Sequence, residues 1–85
     1  MDKKRFPNKK AVEKQKDSLG EADLSGADLI GADLIRAHLI GADLSETNLK
    51  YADLRLACLI NADLTRANLF GAKLKRATFF WCRFE

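Results

Sequence analysis

From Glu21 to Arg76 the chain carries one hydrophobic and polar pattern that recurs every five residues: EADLS GADLI GADLI RAHLI GADLS ETNLK YADLR LACLI NADLT RANLF GAKLK R. Leucine stands at 24, 29, 34, 39, 44, 49, 54, 59, 64, 69 and 74, and Phe79 and Phe84 continue the same positions. Alanine lies two residues before each of these, except where Thr47 and Cys82 take its place. Such self-similarity governs the reading of the whole chain.

The five-residue beat excludes the ordinary elements. On an α-helix five steps advance each leucine by roughly 140°, so the leucines form no stripe. On a continuous strand an odd period sends successive leucines to opposite faces. A common apolar interior requires the chain to turn a corner once per repeat, with each leucine pointing inward. Gly26, Gly31, Gly41 and Gly71 then mark corners.

The repeats GADLI, GADLS, YADLR, NADLT and RANLF resemble the pentapeptide repeat family, whose motif is A-[D/N]-L-x-x. The resemblance covers Ser18 to Glu85. It implies an all-β fold, a right-handed quadrilateral parallel β-helix with four repeats and twenty residues per coil. About three and a half coils would follow a short N-terminal helix or tail. The expected organisation is a basic leader over 1–17 and a repeat domain over 18–85.

In that register the interior column comprises Leu24, Leu29, Leu34, Leu39, Leu44, Leu49, Leu54, Leu59, Leu64, Leu69, Leu74, Phe79 and Phe84. Burying these side chains, at about 1.5–3 kcal/mol each, offsets much of the ordering entropy that makes an 85-residue chain hard to stabilise. Asp23, Asp28, Asp33, Asp43, Asn48, Asp53, Asp63 and Asn68 precede leucines, where a short polar side chain can bond nearby backbone at a bend. A repeated column of carboxylates is turn chemistry; a catalytic pair would have two distinct environments.

Charge divides the chain. Residues 1–17 hold seven basic and three acidic side chains, a net of +4, whereas 18–85 hold eight basic and nine acidic, a net of −1. Pro7, and then Ala11, Val12, Gln15 and Leu19 on one side, suit a short helix that could lie across the open first coil. The same stretch also reads as a solvated tail or as a contact for nucleic acid or an acidic membrane. Its basic run has no interleaved aromatics and is poor evidence for nucleic-acid recognition. No apolar run reaches the roughly 18 residues that span a bilayer, and the N-terminus has no apolar signal-peptide core, so the cytoplasm is the expected compartment.

Few residues carry chemistry. Cys58 and Cys82 fall on different sides of a coil and are expected as unpaired thiols. His38 stands alone, without partners at metal-ligand spacing. There is no Ser/His/Asp or Cys/His constellation and no glycine-rich loop opening a helix, so neither catalysis nor a cofactor is expected.

Function must then be written at the outward positions. Sorted by side, Ile40, Ile60 and Phe80 stack with Trp81 and Cys58 alongside; Tyr51 and Phe70 stand on another side; a third side carries Ile35, Arg36, Arg55 and Leu56 and becomes basic toward the C-terminus through Lys73, Lys75 and Arg76. The apolar column reads either as ladder stabilisation or as a contact surface. Ile40, Ile60, Phe80, Trp81, Tyr51 and Phe70 are the candidate partner surface. A non-catalytic scaffold for an unidentified protein partner is expected. Family members that dimerise do so through their C-terminal ends, which implies a homodimer through ATFFWCRFE. Gyrase-inhibiting members imply an alternative, a DNA-mimicking inhibitor of a type II topoisomerase. The nearly neutral repeat segment departs from the dense negative charge that mimicry needs.

Overall fold

A computed structural model describes residues 1–85. From Leu19 onward the backbone repeats one local unit. The leucine carbonyl accepts from the N–H three residues on, as in Ala27 N to Leu24 O at 3.1 Å and Ala57 N to Leu54 O at 3.0 Å. Two residues after each leucine, φ is positive, while the residue between them is not in that region. This is the signature of a type II turn, which needs a left-handed residue at its third position. Gly26, Gly31, Gly41 and Gly71 meet that demand without strain, but Glu21, Arg36, Glu46, Tyr51, Leu56, Asn61, Arg66, Arg76 and Trp81 adopt it as well.

Five residues per corner and four corners per circuit bring residues twenty apart into parallel register. Bridges link Asp23 to Asp43 and on to Asp63 and Arg83, Asp28 to Asn48 and Asn68, Asp33 to Asp53 and Lys73, and His38 to Cys58 and Thr78. From Leu24 to Leu64 each leucine N–H donates upward, as Leu34 to Asp53 O at 2.9 Å and Leu54 to Lys73 O at 2.8 Å. Pairing is confined to isolated bridges, short of the extended strands that an all-β description suggests. The reason is local: the turn consumes the residues on either side of each Ala-Asp-Leu triplet, so no side can lengthen.

The interior follows from the corners. Leu24 through Leu64 are buried, as are the alanines from Ala22 to Ala62, and Thr47 occupies an alanine position with its hydroxyl donating to Leu44 O at 2.6 Å. Leu69, Leu74 and Phe79 are half-buried. Phe84 departs from the expected interior column: it is 49% exposed, with its ring 5.9 Å from that of Phe79. It lies on the last coil, with neighbours beneath it only.

Residues 1–18 close the other end. Helix α1 spans Lys9–Lys14, with the Asn8 side chain accepting from Ala11 N, and a 3-10 turn follows over Lys16–Ser18. Phe6 and Val12 are fully buried beside Leu19 against the first coil. The segment also supplies the hydrogen bonds that a lower coil would give. Asp2 N donates to Asp23 O (3.0 Å), Lys9 Nζ to Ile30 O (2.8 Å), Asp33 N to the Glu13 carboxylate (2.7 Å), and His38 N to Lys16 O (2.8 Å). An open end of a parallel stack leaves such groups orphaned, and their satisfaction fixes where the leader must lie. The Lys16–Asp33 and N-terminus–Asp23 ion pairs add charge matching between the basic leader and the acidic first coil.

Candidate functional site

The carboxylate and amide column behaves as local turn chemistry. Asp23, Asp28, Asp33, Asp43, Asn48, Asp53, Asp63 and Asn68 each accept from the backbone N–H two residues on, at 2.9–3.2 Å. The Ser25 and Thr65 hydroxyls donate to Asp23 and Asp63 and hold those carboxyls below the usual range. The Ile35 N–H does the same for Asp33. Asp53 is lowered furthest, to about 2, by the Arg55 guanidinium, whose Nε and Nη2 lie 2.8 and 2.6 Å from the two carboxylate oxygens. Donation to the ionised form stabilises it over the acid. No group of three His, Cys, Asp or Glu side chains comes together in a form that could hold a metal.

The six residues of the candidate partner surface divide between two corners. Phe80 and Trp81 pack with ring centroids 5.9 Å apart and are 63% and 78% exposed. Tyr51 and Phe70 meet edge to face at 5.8 Å and are also exposed. The two pairs are half a circuit apart, so they occupy opposite corners and form no single patch. Ile40 and Ile60 are half-buried, which corrects the expected exposed column. Ile60 lies over Ile40 and Phe80 over Ile60, so each covers the one beneath, and only the last ring stands free.

Beside the first corner, Cys58 and Cys82 are free thiols. Cys82 Sγ donates to Leu59 O at 2.7 Å, and burial raises its pKa. A raised thiol pKa lowers the thiolate fraction and with it nucleophilicity.

Two clefts mark the surface. One, of about 510 Å³, lies between the leader and the first coil, with Met1, Pro7, Val12, Leu29 and Ile30 among its lining. The other, of about 350 Å³, is walled by Arg55, Leu56, Lys75 and Arg76. Leu56, which the repeat register places on this side with the basic residues, is 40% exposed at a corner where φ is +66°. Its signal is indirect: a bulky apolar residue at a position that four other corners give to glycine.

A stack of five-residue units in parallel register defines a β-helical repeat protein. The sequence profile of pentapeptide repeats matches residues 22–59 and 48–85, in 8 copies, and the chain belongs to the pentapeptide repeat family. Folds of this family are of the right-handed β-helix type. The chain is similar to a crystal structure of a pentapeptide repeat protein, Rfr23, from the cyanobacterium Cyanothece 51142. Identity is 38% over 79% of this chain and 43% of that one, with a TM-score of 0.43. It is also similar to the crystal structure of alr5209, a pentapeptide repeat protein from Nostoc Pcc 7120, at 33% identity over 79% of each chain, with a TM-score of 0.22. The chain thus spans less than half the length of Rfr23. None of the curated proteins matches it.

Proposed function

We propose that the protein is a non-catalytic interaction scaffold that binds a protein partner through side chains displayed at its corners. The observation that carries this reading is the display of large rings on a hydrogen-bonded frame: Tyr51, Phe70, Phe80 and Trp81 are all more than half exposed on a backbone bonded from coil to coil. Exposed aromatics on a rigid support favour binding, because little conformational freedom remains to be lost. The carboxylates and amides of the outward column are bound in turn bonds, which favours binding over chemistry.

Mimicry of duplex DNA receives less support. Each acidic column changes sign or loses its charge along the axis: Asp23, Asp43 and Asp63 end in Arg83, Asp33 and Asp53 end in Lys73, and Asp28 gives way to Asn48 and Asn68. A second copy of the chain, meeting through the exposed Phe84, is the homotypic form of the scaffold reading.

Affinity capture from source lysate with wild-type protein and with a Phe70→Ser, Trp81→Ser double variant tests the reading. A discrete protein retained by the wild type and lost from the variant is expected. Identical capture profiles would remove the corners as the binding surface. Sedimentation of wild type and Phe84→Asp separates the homotypic form, since only a dimer would be converted to monomer.

A further inference from the structure

On the side of the β-helix built on Leu34, Leu54 and Leu74 the outward column changes sign along the axis. It reads Asp33, Asp53, Lys73. Both aspartates accept from the N–H two residues on, whereas Lys73 has no acceptor and leaves Lys75 N without that bond. The position faces outward, so the exchange gains nothing in packing.

The charges sort in the same way. Asp33 is paired with Lys16 and Asp53 with Arg55, but Lys73, Lys75 and Arg76 have no carboxylate within ion-pair distance. All three are exposed. Lys75 and Arg76 wall the cleft of about 350 Å³ with Arg55, and Leu56 forms its apolar wall. Along the opposite edge of this side stand Tyr51 and Phe70. The side therefore presents Lys73 between a pair of rings at one corner and, at the other, Leu56 flanked by Lys75 and Arg76. These groups point away from the axis, so stacking at either end of the coil would not cover them.

We propose that this side docks an acidic segment of a partner protein, one in which Asp or Glu alternates with bulky apolar side chains. The inference rests on the scaffold reading and names the partner's chemistry. Carboxylates match Lys73, Lys75 and Arg76, while an apolar side chain enters beside Leu56 and another packs on Phe70. A single-stranded nucleic acid would also use rings and cations. Its affinity at physiological salt, however, grows with the number of phosphates neutralised, each contributing about 0.7 to the salt slope, and the few free cations of this side, Arg36 with Lys73, Lys75 and Arg76, supply little. Leu56 has no role toward a phosphate backbone.

Fluorescence anisotropy with the full chain tests the assignment, using labelled peptides in which Glu alternates with Leu and Phe, the same peptide with Lys for Glu, and the same with Ser for Leu and Phe, alongside oligo(dT). The Glu/Leu/Phe peptide is expected to bind, with both altered peptides weaker by about tenfold or more. A Lys73→Asp, Lys75→Glu variant, in which position 73 regains the motif residue, should lose binding, and Trp81→Ser at the opposite corner should keep it. Equal binding of all three peptides, or no response to Lys73→Asp, Lys75→Glu, would overturn the proposal, as would preferential binding of oligo(dT). Selection of unbiased displayed peptides on the same protein separates the two readings. Binders without acidic residues, insensitive to the Lys73 and Lys75 changes, would leave a scaffold standing and remove this side as its docking surface.

Discussion

The ring of Tyr51 lies against the α-carbon of Gly71, its counterpart one circuit along the chain. A methyl group on Gly71 would stand 2.5 Å from Cδ1 and 2.6 Å from Cε1 of that ring. Gly71 also has φ of +71°, so two separate physical reasons fix the residue.

These reasons can be separated by comparison with Gly31, where φ is +67° and nothing lies within 4 Å of an added methyl group. Gly31→Ala meets only the left-handed backbone term, about 1–2 kcal/mol. Gly71→Ala meets that term and must also displace the Tyr51 ring, so it should destabilise more. Urea unfolding is expected to show the excess, and Tyr51→Ala in the Gly71→Ala background should abolish it. Equal losses at the two glycines would mean that the ring moves aside freely.

Leu54 and Arg55 are adjacent in sequence and opposite in consequence. Leu54 is fully buried between Leu34 below and Leu74 above, whereas Arg55 is exposed and makes one ion pair. Leu54→Ala should cost about 2–5 kcal/mol. Arg55→Ala should be nearly neutral, as losses of exposed pairs are. Chemical denaturation of both variants checks the inward register, because similar losses would place Leu54 outside the column.

Phe6 yields the contrast between a cap and a tail. It is fully buried at the base of the stack, with the Arg5 guanidinium 4.7 Å from its ring centre. Phe6→Ala is expected to cost about 3–5 kcal/mol, whereas Phe80→Ala, at an exposed ring on the last coil, should stay within about 0.5 kcal/mol. Thermal unfolding of the two variants measures the difference, and a neutral Phe6→Ala would show that the leader does not hold the first coil.

The column from Leu24 to Leu64 was legible because a corner every five residues leaves one direction for the leucine, and the period states that direction thirteen times. Direction is not coverage, however. Phe84 holds the same repeat position yet is half exposed, since burial also requires a layer on each side. Phe6 was illegible for the converse reason: one ring in a polar leader has no periodic partner, and only the hydrogen bonds of Asp2, Lys9 and Lys16 bring it beneath the coil. The division of the candidate surface between two corners follows from the twenty-residue circuit, which sets Phe70 and Phe80 half a circuit apart. The register places Leu56 on the basic side, but its part in a cleft was not legible, because the left-handed corner it occupies accepts Arg, Glu and Tyr elsewhere in the stack.

Asp53 provides a test of the turn chemistry that needs no change in fold. The Arg55 side chain, followed by the backbone N–H of Arg55, holds its carboxyl down to about 2, against 3.8 for an unperturbed aspartate. A depressed folded value means that the ionised form is favoured in the native state. The contribution to stability is therefore complete above pH 3.8 and is lost as pH falls through about 2. Carbon-13 NMR of the side-chain carboxyl should place the Asp53 midpoint near 2 and, in Arg55→Ala, move it upward toward the ordinary value while leaving Asp63, held by Thr65, unmoved. Stability of Arg55→Ala should correspondingly fall less steeply than that of the wild type between pH 4 and 2, a window set by those two values. An Asp53 midpoint that does not respond to Arg55→Ala would assign the shift to the backbone bond alone and remove the guanidinium pair from the account of this side.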